Sequence, residues 1–320
     1  MYFREEFSKA KQILLAARRI VIISHRSPDG DTVGANLALR YCLEQQWGKA
    51  VISACIDPPP PDTHFLPDVD AFVSDFDYES ADVLVSVDVG AHYLLKFHEK
   101  KPEILQKIKP FINIDHHPSN DHFGTINIVD PHASAAVQIV YHFLRYCNFH
   151  INYRVATALL HGLYFDTGSF MHSNTTPEVL KIAADLIWKG ADYRQIAKAQ
   201  FRTKRIGQMR LFGRIFSRAS VNEKKVLRSF VLDRDFEECD ASRDDTVGAI
   251  DYLNSIPDGK FSVFLSEDGK GNVKGSLRTR ENDIDLCKIA SLFGGGGHKK
   301  ASGFSVPGKI ELADDKIRIQ

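Results

Sequence analysis

The sequence lacks the features of disulfide-stabilised, secreted or membrane-spanning proteins. Its five cysteines are scattered, odd in number and never arranged as C-x-x-C, a pattern that fits buried thiols in a reducing compartment. No uncharged apolar run is long enough to cross a bilayer, and the first twenty residues carry too many charges for a signal peptide. We therefore expect a soluble, cytoplasmic protein with no membrane partner.

A surplus of positive charge is also missing. Lys plus Arg and Asp plus Glu each number 41, so the formal net charge is zero. Proteins that coat long nucleic acids usually carry a basic surplus. The balance argues against such a role and allows a small anionic substrate that meets a local positive site. The sequence leaves open whether the chain forms a homodimer.

The first half of the chain alternates short β-branched runs with segments of helical periodicity. This alternation predicts an α/β fold, with a mostly parallel sheet that has helices on both faces. The predicted strands are Ile20–Ser24, Val51–Ile56, Val83–Val87 and Phe111–Ile114. The predicted helices are Glu5–Ala17, Thr32–Gln45, Ala135–Tyr146 and Arg154–Leu163.

The pattern changes in the last third of the chain. A helical stretch from Thr176 to Ile215 has no glycine-rich or serine-rich linker, so a helical connector is expected. The division predicted is a first domain at 1–190, a connector at 191–217 and a smaller mixed α/β domain at 218–320. The elements expected in the last domain are strands Val226–Asp233, Phe261–Ser266 and Val273–Arg278, and helices Asp244–Ser255 and Asp285–Leu292.

Carboxylates and imidazoles follow the predicted strands at the edge where parallel sheets bind ligands. They are His25, Asp29, Asp31, Asp88, Asp115, His116, His117 and, after an apolar helical segment, Asp166. Each alone is typical of a turn or a cap, and Asp29-Gly30-Asp31 is compatible with a tight turn that has Asp31 as N-cap. Clustered carboxylates repel one another unless cations neutralise them. Mixed oxygen and imidazole ligands suit Mn²⁺, Zn²⁺ or Fe²⁺, and two such ions would clamp a phosphoryl displacement.

These residues, in this order and spacing, resemble the signature motifs of the DHH phosphoesterase family. The motifs are His25-x-x-x-Asp29-x-Asp31, Asp88 in VSVDVG, Asp115-His116-His117, and Asp166 in GLYFDTGSF. The later segments GSLRTR and FGGGGHKKASGF resemble the associated C-terminal domain of a subgroup of this family. That subgroup includes RecJ exonucleases, cyclic-di-AMP phosphodiesterases and nanoRNase/pAp-phosphatase (NrnA-type) enzymes.

The resemblance implies a role for each residue of the motifs. One metal ion would take His25, Asp29 and Asp88, and the other would take Asp31, Asp88, His116 and Asp166. His117 would contact the reacting phosphate or assist the leaving oxygen, and Asp115 would orient the imidazole ligands. Two divalent cations, with Mn²⁺ preferred, are implied as cofactors.

The glycine run Gly294–Gly297 admits two interpretations. A loop after a helix needs only one cap glycine, whereas four allow backbone N–H groups to approach an anion closely. Arg278 is either a solvated strand-edge residue or a two-pronged phosphate ligand. The resemblance implies that Arg278 and His298 bind the substrate's terminal phosphate or nucleotide, with Gly296, Gly297 and Ser302 lining the same pocket. A second alanine is commoner in the family where Ser302 stands here.

The resemblance, together with the early first strand and the absence of an additional nucleic-acid-binding domain, favours the nanoRNase/pAp-phosphatase subgroup. We expect a metal-dependent phosphodiesterase and phosphatase that hydrolyses short oligoribonucleotides such as pApA or pGpG to mononucleotides, and removes a phosphate from pAp. The alternatives are a cyclic-dinucleotide phosphodiesterase, a RecJ-like single-strand exonuclease and a non-catalytic nucleotide sensor. A silent sensor should have lost at least one predicted ligand, and none is missing.

Overall fold

The structure is a computed structural model that describes residues 3–106, 108–201, 205–313 and 316–320. The chain forms two compact units, one from residue 1 to 203 and the other from 204 to 320. The segment predicted as a connector contributes one helix, Tyr193–Phe201, to the first unit and another, Ile206–Ser217, to the second. Within the described part of the chain, no helix combines the length and apolar character that crossing a membrane requires.

The first unit is built on a five-stranded sheet in which every pairing is parallel. The strand order is β2-β1-β3-β4-β5, and the predicted parallel α/β fold is confirmed. The last strand, β5, was not expected from the sequence. The strands are β1 (Arg19–Ile23), β2 (Ala50–Ala54), β3 (Val83–Val87), β4 (Phe111–Asp115) and β5 (Ile126–Val129).

Helices cover one face of this sheet. Because side chains alternate along a strand, Ile20 and Ile22 of β1 face the helical core while Val21 and Ile23 face the other side. The helices of the first unit are α1 (Arg4–Ala16), α2 (Gly30–Trp47), α3 (Ala136–Tyr146), α4 (Tyr153–Asp166), α5 (Pro177–Trp188) and α6 (Tyr193–Phe201).

The opposite face differs from the expectation of helices on both sides. Its core includes Phe76, Phe97 and Ile104, which come from irregular segments with short 3₁₀ turns. The connection between β3 and β4 is interrupted by Pro102 and Pro110, and prolines disfavour a continuous crossover helix. This face is therefore closed by loops.

The strand order reverses at β1, because the chain passes from β1 to β2 on one side and then returns to β3 on the other. In open parallel sheets, ligands bind beyond the carboxyl ends of the strands at such a reversal. Two glycines let α2, α3 and α4 pack closely beneath this edge. A Cβ on Gly34 would lie 2.5 Å from the Ala158 carbonyl oxygen, and one on Gly162 would lie 2.6 Å from Val137 Cγ1.

The second unit has a six-stranded mixed sheet with the order β10-β11-β9-β8-β7-β6, in which only β7 and β8 pair in parallel. Its strands are β6 (Ser220–Val221), β7 (Val226–Val231), β8 (Phe261–Glu267), β9 (Asn272–Thr279), β10 (Gly296–His298) and β11 (Ala301–Pro307). A separate hairpin joins β12 (Ile310–Ala313) to β13 (Lys316–Ile319).

Two sets of helices pack on opposite faces of this sheet. The helices are α7 (Ile206–Ser217), α8 (Asp233–Cys239), α9 (Ala249–Asn254) and α10 (Leu286–Ser291). Phe264 shares a core with α7, α8 and α9, whereas Leu277 shares a core with α10. The helix predicted at Asp244–Ser255 is interrupted, because Gly248 has a φ of +88° and separates a 3₁₀ turn from α9.

Candidate active site

The polar residues predicted at the strand ends of the first unit converge at one edge of its sheet. Three groups of side chains each place their potential ligand atoms within 4.8 Å of one another. The groups are His25, Asp29 and Asp88; Asp31, His116 and Asp166; and Asp88, His116 and His117. Asp88 belongs to the first and third groups and His116 to the second and third, so all six predicted metal ligands belong to one site.

Asp88 is central because its two carboxylate oxygens face different imidazoles. Its Oδ2 lies 3.4 Å from His25 Nε2, and its Oδ1 lies 3.5 Å from His116 Nε2. The carboxylate is 3% exposed, and Oδ1 accepts no hydrogen bond from the described residues. The backbone of Asp88 has a φ of +58°, a left-handed conformation that costs energy in a non-glycine residue and often marks a functional site.

The other ring nitrogen of each candidate imidazole ligand faces a backbone carbonyl. His25 Nδ1 lies 2.7 Å from the Arg26 oxygen, and His116 Nδ1 lies 3.3 Å from the Ala133 oxygen. A proton on Nδ1 leaves Nε2 as the lone-pair donor, which is the usual arrangement for a metal-bound histidine. Both Nε2 atoms face carboxylates of the site.

Asp115 binds His117, which corrects the expectation that it orients the imidazole ligands. Its Oδ1 lies 2.8 Å from His117 Nδ1, and its Oδ2 accepts a hydrogen bond from Asn120 Nδ2 at 2.6 Å. Asp115 is fully buried. Consecutive residues in extended backbone point in opposite directions, so the aspartate that precedes the histidine pair reaches only the second imidazole. His117 Nδ1 is thereby engaged by Asp115.

Asp29 and Asp31 are both held by backbone amides, in a way that differs from the tight-turn alternative. Asp29 is the N-cap of α2 and accepts from the N–H groups of Asp31 and Thr32. Asp31 lies inside the helix, fully buried, and accepts from the N–H groups of Ala136 and Val137 at the start of α3. The first turn of α3 thus anchors a carboxylate from the first turn of α2.

The loop after Asp166 is tied to the start of α3. The side chain of Asn174 donates to the carbonyls of Asp166 and Ser134, at 3.2 and 3.1 Å, and Ser134 Oγ donates to the Asn174 carbonyl. These contacts fix the backbone that presents Asp166. Asn120, Ser134 and Asn174 could not be predicted from the sequence, because a polar residue in a loop carries no sequence signal of the group that it reaches.

Burial and mutual repulsion shift the acid–base behaviour of the site. Burial and the charge of Asp88 raise the pKa of Asp29, and they raise the pKa of Asp31 to about 8. Burial and the charge of Asp31 raise the pKa of Asp166. Burial opposes ionisation of Asp88, but its contacts with His116 and His25 outweigh burial and lower its pKa.

The two imidazoles balance this negative charge. Burial alone would lower the pKa of His25, but Asp88 and Asp29 outweigh it and raise the pKa to about 10. Burial likewise opposes protonation of His116, and Asp88 and Asp166 raise its pKa well above the usual value. A site that draws protons onto two imidazoles, and in which three of four carboxylates have a raised pKa, has the charge and donor chemistry of a divalent-cation site.

In the second unit, two of the predicted substrate-binding residues share one face of the sheet. His298 pairs with Ala301, and Ala301 pairs with Arg278, so the three side chains lie on the same face in neighbouring strands. Asp251 of α9 lies 3.4 Å from Arg278 Nε, and Arg278 Nη1 donates to the Leu277 carbonyl at 3.0 Å. These contacts restrain the guanidinium.

Ser302 does not share that face. It pairs with Leu277, whose side chain lies in the core on the opposite side of the sheet, and it is 5% exposed. Its hydroxyl donates to the His298 carbonyl at 2.6 Å, so it supports the β10–β11 turn. The expectation that Ser302 lines the pocket with Arg278 and His298 is therefore wrong.

The two predicted glycines have different environments. Gly297 has a φ of +133°, and a Cβ there would lie 2.6 Å from the Ala301 carbonyl oxygen, so this position requires glycine. Gly296 is exposed and shares the face of His298, and a Cβ there would meet no atom within 4 Å. The geometry of the turn therefore requires glycine at position 297. Gly296 is not required in this way, and it leaves open space beside the imidazole of His298.

Two family models match the chain. Residues 19–163 match the N-terminal domain of the DHH family, and residues 223–318 match the DHHA1 domain. The first match begins at β1 and ends in α4, so it contains every residue of the converging site except Asp166. The second contains Arg278, His298 and the glycine run.

The chain is also similar to named proteins along most of its length. It is 32% identical to the bifunctional oligoribonuclease and PAP phosphatase NrnA of Thermus thermophilus, over 90% of this chain and 84% of that protein. It is 27% identical to the Bacillus subtilis protein of the same name, over 90% of this chain and 89% of the relative.

The fold has a solved counterpart of similar length. The crystal structure of an exopolyphosphatase-related protein from Bacteroides fragilis superposes with a TM-score of 0.85 at 26% identity, covering 93% of this chain and 90% of that one. The motifs, the two matched domains and the full-length relatives agree. The chain therefore belongs to the DHH family.

Proposed function

We propose that this protein is a two-metal phosphodiesterase and phosphatase. Its substrates are short oligoribonucleotides such as pApA or pGpG, which it hydrolyses to mononucleotides, and pAp, which it converts to AMP. The observation that carries the proposal is that two ligand groups meet at Asp88, whose carboxylate oxygens face opposite imidazoles. The names of the Thermus and Bacillus relatives, oligoribonuclease and PAP phosphatase, support the choice of substrate.

Six side chains would hold two divalent cations, with Mn²⁺ as our choice. His25, Asp29 and Asp88 would hold one, and Asp31, Asp88, His116 and Asp166 would hold the other. Paired cations supply a deprotonated water at neutral pH and neutralise charge on a phosphoryl group. The buried Asp88 oxygen that accepts no hydrogen bond from the described residues is the kind of atom that a bound cation satisfies.

His117 would act on the substrate. Asp115 and Asn120 form a buried chain of hydrogen bonds that fixes the imidazole through its Nδ1. We assign Nε2 of His117 to a phosphoryl oxygen or to the leaving oxygen, with Asp115 as the positioning residue. A fixed imidazole can stabilise charge that develops on the phosphate without reorganising during the reaction.

The second unit would bind the far end of the substrate. Arg278 and His298, with the backbone of the glycine run, would take a terminal phosphate, because guanidinium and backbone N–H groups suit that anion. In this proposal the metal-site domain spans residues 1–190, a connector spans 191–217, and the substrate-binding domain spans 218–320. All five cysteines are free thiols, which supports a cytoplasmic location.

A substrate comparison tests the proposal. Purified protein with Mn²⁺ would be incubated separately with pApA, its deoxy counterpart, pAp, cyclic-di-AMP, a long single strand and pyrophosphate, and the products separated by chromatography. We expect release of AMP from pApA and pAp, with the long strand nearly untouched. Preference for the long strand would favour an exonuclease, and preference for cyclic-di-AMP would favour a cyclic-dinucleotide phosphodiesterase. Nucleotide binding without turnover of any substrate would favour a sensor.

A further inference from the structure

A cavity of about 380 Å³ lies at the carboxyl end of β2, beside the strand that leads to His25. Its walls include Pro58, Pro59 and Phe72, and its rim carries His64 and Asp70. The volume falls within the range of small-molecule pockets, which combine apolar walls with a few polar groups. None of the residues assigned to the metal site lines it.

Two hydrogen bonds connect this cavity to the loop that carries His25. Cys55, a lining residue, donates from Sγ to the His25 carbonyl at 3.1 Å. Asp57, also a lining residue, accepts from the Ser27 N–H at 2.8 Å. The wall of the cavity and the backbone of a proposed metal ligand are therefore in direct contact, on the side of β1 away from β3 and β4.

The lining chemistry excludes a phosphate and favours a nucleobase. The described residues that line the cavity include carboxylates at Asp57 and Asp70 but no lysine or arginine, so an anionic group would be repelled. Phe72 and two prolines offer flat apolar surfaces, on which a base can stack. His64 Nδ1 lies 3.1 Å from Asp70 Oδ1, an arrangement that favours a proton on Nδ1 and leaves Nε2 to accept from an exocyclic amino group.

We propose that this cavity binds one nucleobase of the oligonucleotide whose phosphate lies at the metal site. The inference rests on the proposed function, because the phosphate fixes which part of the substrate reaches the cavity. Binding one base in this cavity would orient the scissile phosphate beside His25 and would select nucleotides over base-free phosphodiesters. Stacking on Phe72 supplies most of the affinity, and the His64–Asp70 pair recognises the base edge.

Two substitutions at one position separate filling of the cavity from loss of a hydroxyl group. Ser74 is exposed and lines the cavity, so Ser74→Trp fills it, and Ser74→Ala is the matched control. Phe72→Ala removes the stacking surface without adding bulk, and thermal unfolding checks that each variant folds. The substrates are pApA and two analogues, each of which lacks one of the two bases.

We expect Ser74→Trp and Phe72→Ala to raise KM for pApA about tenfold, the effect of losing one stacked base. Ser74→Ala should stay within twofold of wild type. For one of the two abasic analogues, the one that lacks the base held in the cavity, neither Ser74→Trp nor Phe72→Ala should change KM or kcat. Variants that fold and leave KM for pApA within twofold of wild type, or that raise KM equally for all three substrates, would overturn the proposal.

Binding of adenosine to the metal-free protein, measured by calorimetry, separates this inference from the proposed reaction. One outcome is that the wild type turns over no oligonucleotide, and that Ser74→Trp binds adenosine about tenfold more weakly than the wild type does. The proposed reaction would then be wrong, and the base pocket would be supported. If the wild type hydrolyses pApA and adenosine binds the folded variants as tightly as wild type, the pocket is wrong and the reaction is supported.

Discussion

The carboxylate of Asp31 accepts a hydrogen bond from the backbone N–H of Ala136 at 2.5 Å, across 105 residues of sequence. The next amide, Val137 N–H, donates to the other oxygen at 3.0 Å. The first amides of a helix have no partner within the helix, and its N-terminus attracts negative charge. The start of α3 therefore stabilises a buried carboxylate that we also assign to a metal ion.

This relationship predicts that two of the proposed ligands differ in their effect on stability. Asp31→Asn places an amide NH₂ against a backbone N–H, and should lower the free energy of unfolding by about 1–3 kcal/mol even in chelator. Asp166→Asn leaves the two α3 amides paired with Asp31 and removes a buried carboxylate whose pKa is raised by burial and by Asp31, so it should not lower stability in chelator. Both should weaken Mn²⁺ binding. Denaturant unfolding with excess EDTA measures the difference, and equal losses in the two variants would contradict the anchoring role.

A pair of glycine substitutions tests the close packing beneath the site. Gly162→Ala would bring a Cβ to 2.6 Å from Val137 Cγ1 and 3.0 Å from Asp31 Oδ1. We expect a loss of about 1–3 kcal/mol in the free energy of unfolding, together with weaker Mn²⁺ binding. The control is Gly213→Ala in the exposed part of α7, where a Cβ meets no atom within 4 Å. This change should be neutral or stabilising by up to about 1 kcal/mol. Equal effects at the two positions would contradict the packing argument.

His161 predicts a specific pH dependence of stability. The ring is fully buried in α4, neither nitrogen has a hydrogen-bond partner among the described residues, and burial lowers its pKa from 6.5 to about 4. Between these two pH values the unfolded chain binds a proton at His161 that the folded chain does not. The free energy of unfolding should therefore fall as the pH drops from 6.5 to 4, by about 3 kcal/mol from this residue.

The measurement compares denaturant unfolding of wild type and His161→Leu across this pH range. The leucine variant lacks the proton uptake, so the gap between the two proteins should move in favour of the variant as the pH falls. Parallel curves from pH 7 to pH 4 would show that His161 is not held neutral by burial.

Arg278 and Lys274 form a matched pair on one strand. Both lie on β9 and, four residues apart, face the same side about 13 Å from each other. Arg278→Ala should raise KM for pApA about tenfold or more, because a charge-assisted contact to phosphate is lost. Lys274→Ala removes the same charge and should stay within twofold of wild type. Steady-state kinetics with Mn²⁺ distinguish a local contact of Arg278 from a general electrostatic effect. A general electrostatic effect would raise KM for pApA equally in the two variants.

Much of the first unit could be predicted because its signals are local. Short β-branched runs mark β1, β2, β3 and β4, and the residues after them point to the ligand edge of a parallel sheet. The weak segment at β5 has only four residues, and nothing in it distinguishes a strand from a loop. The prediction of helices on both faces of the sheet was also wrong for the face that loops cover, because composition does not reveal which crossover lacks a helix.

The errors at the site come from long-range geometry. The prediction for Ser302 was wrong because the face on which its side chain lies depends on the pairing of β9 with β11. A single segment of sequence does not encode that pairing. Asp115 binds His117 and not His116 because of the backbone direction at the strand end. The donors to Asp31 are backbone amides, which almost every residue has, so no side-chain type in the sequence indicates them.

Counting bound Mn²⁺ tests the central claim most directly. Equilibrium dialysis followed by elemental analysis should find two Mn²⁺ ions per wild-type chain. Asp88→Asn should retain at most one, because both ligand groups lose their shared carboxylate, while its folded state persists in circular dichroism. One ion or none in the wild type, or two ions still bound by a folded Asp88→Asn, would contradict a metal pair bridged at Asp88.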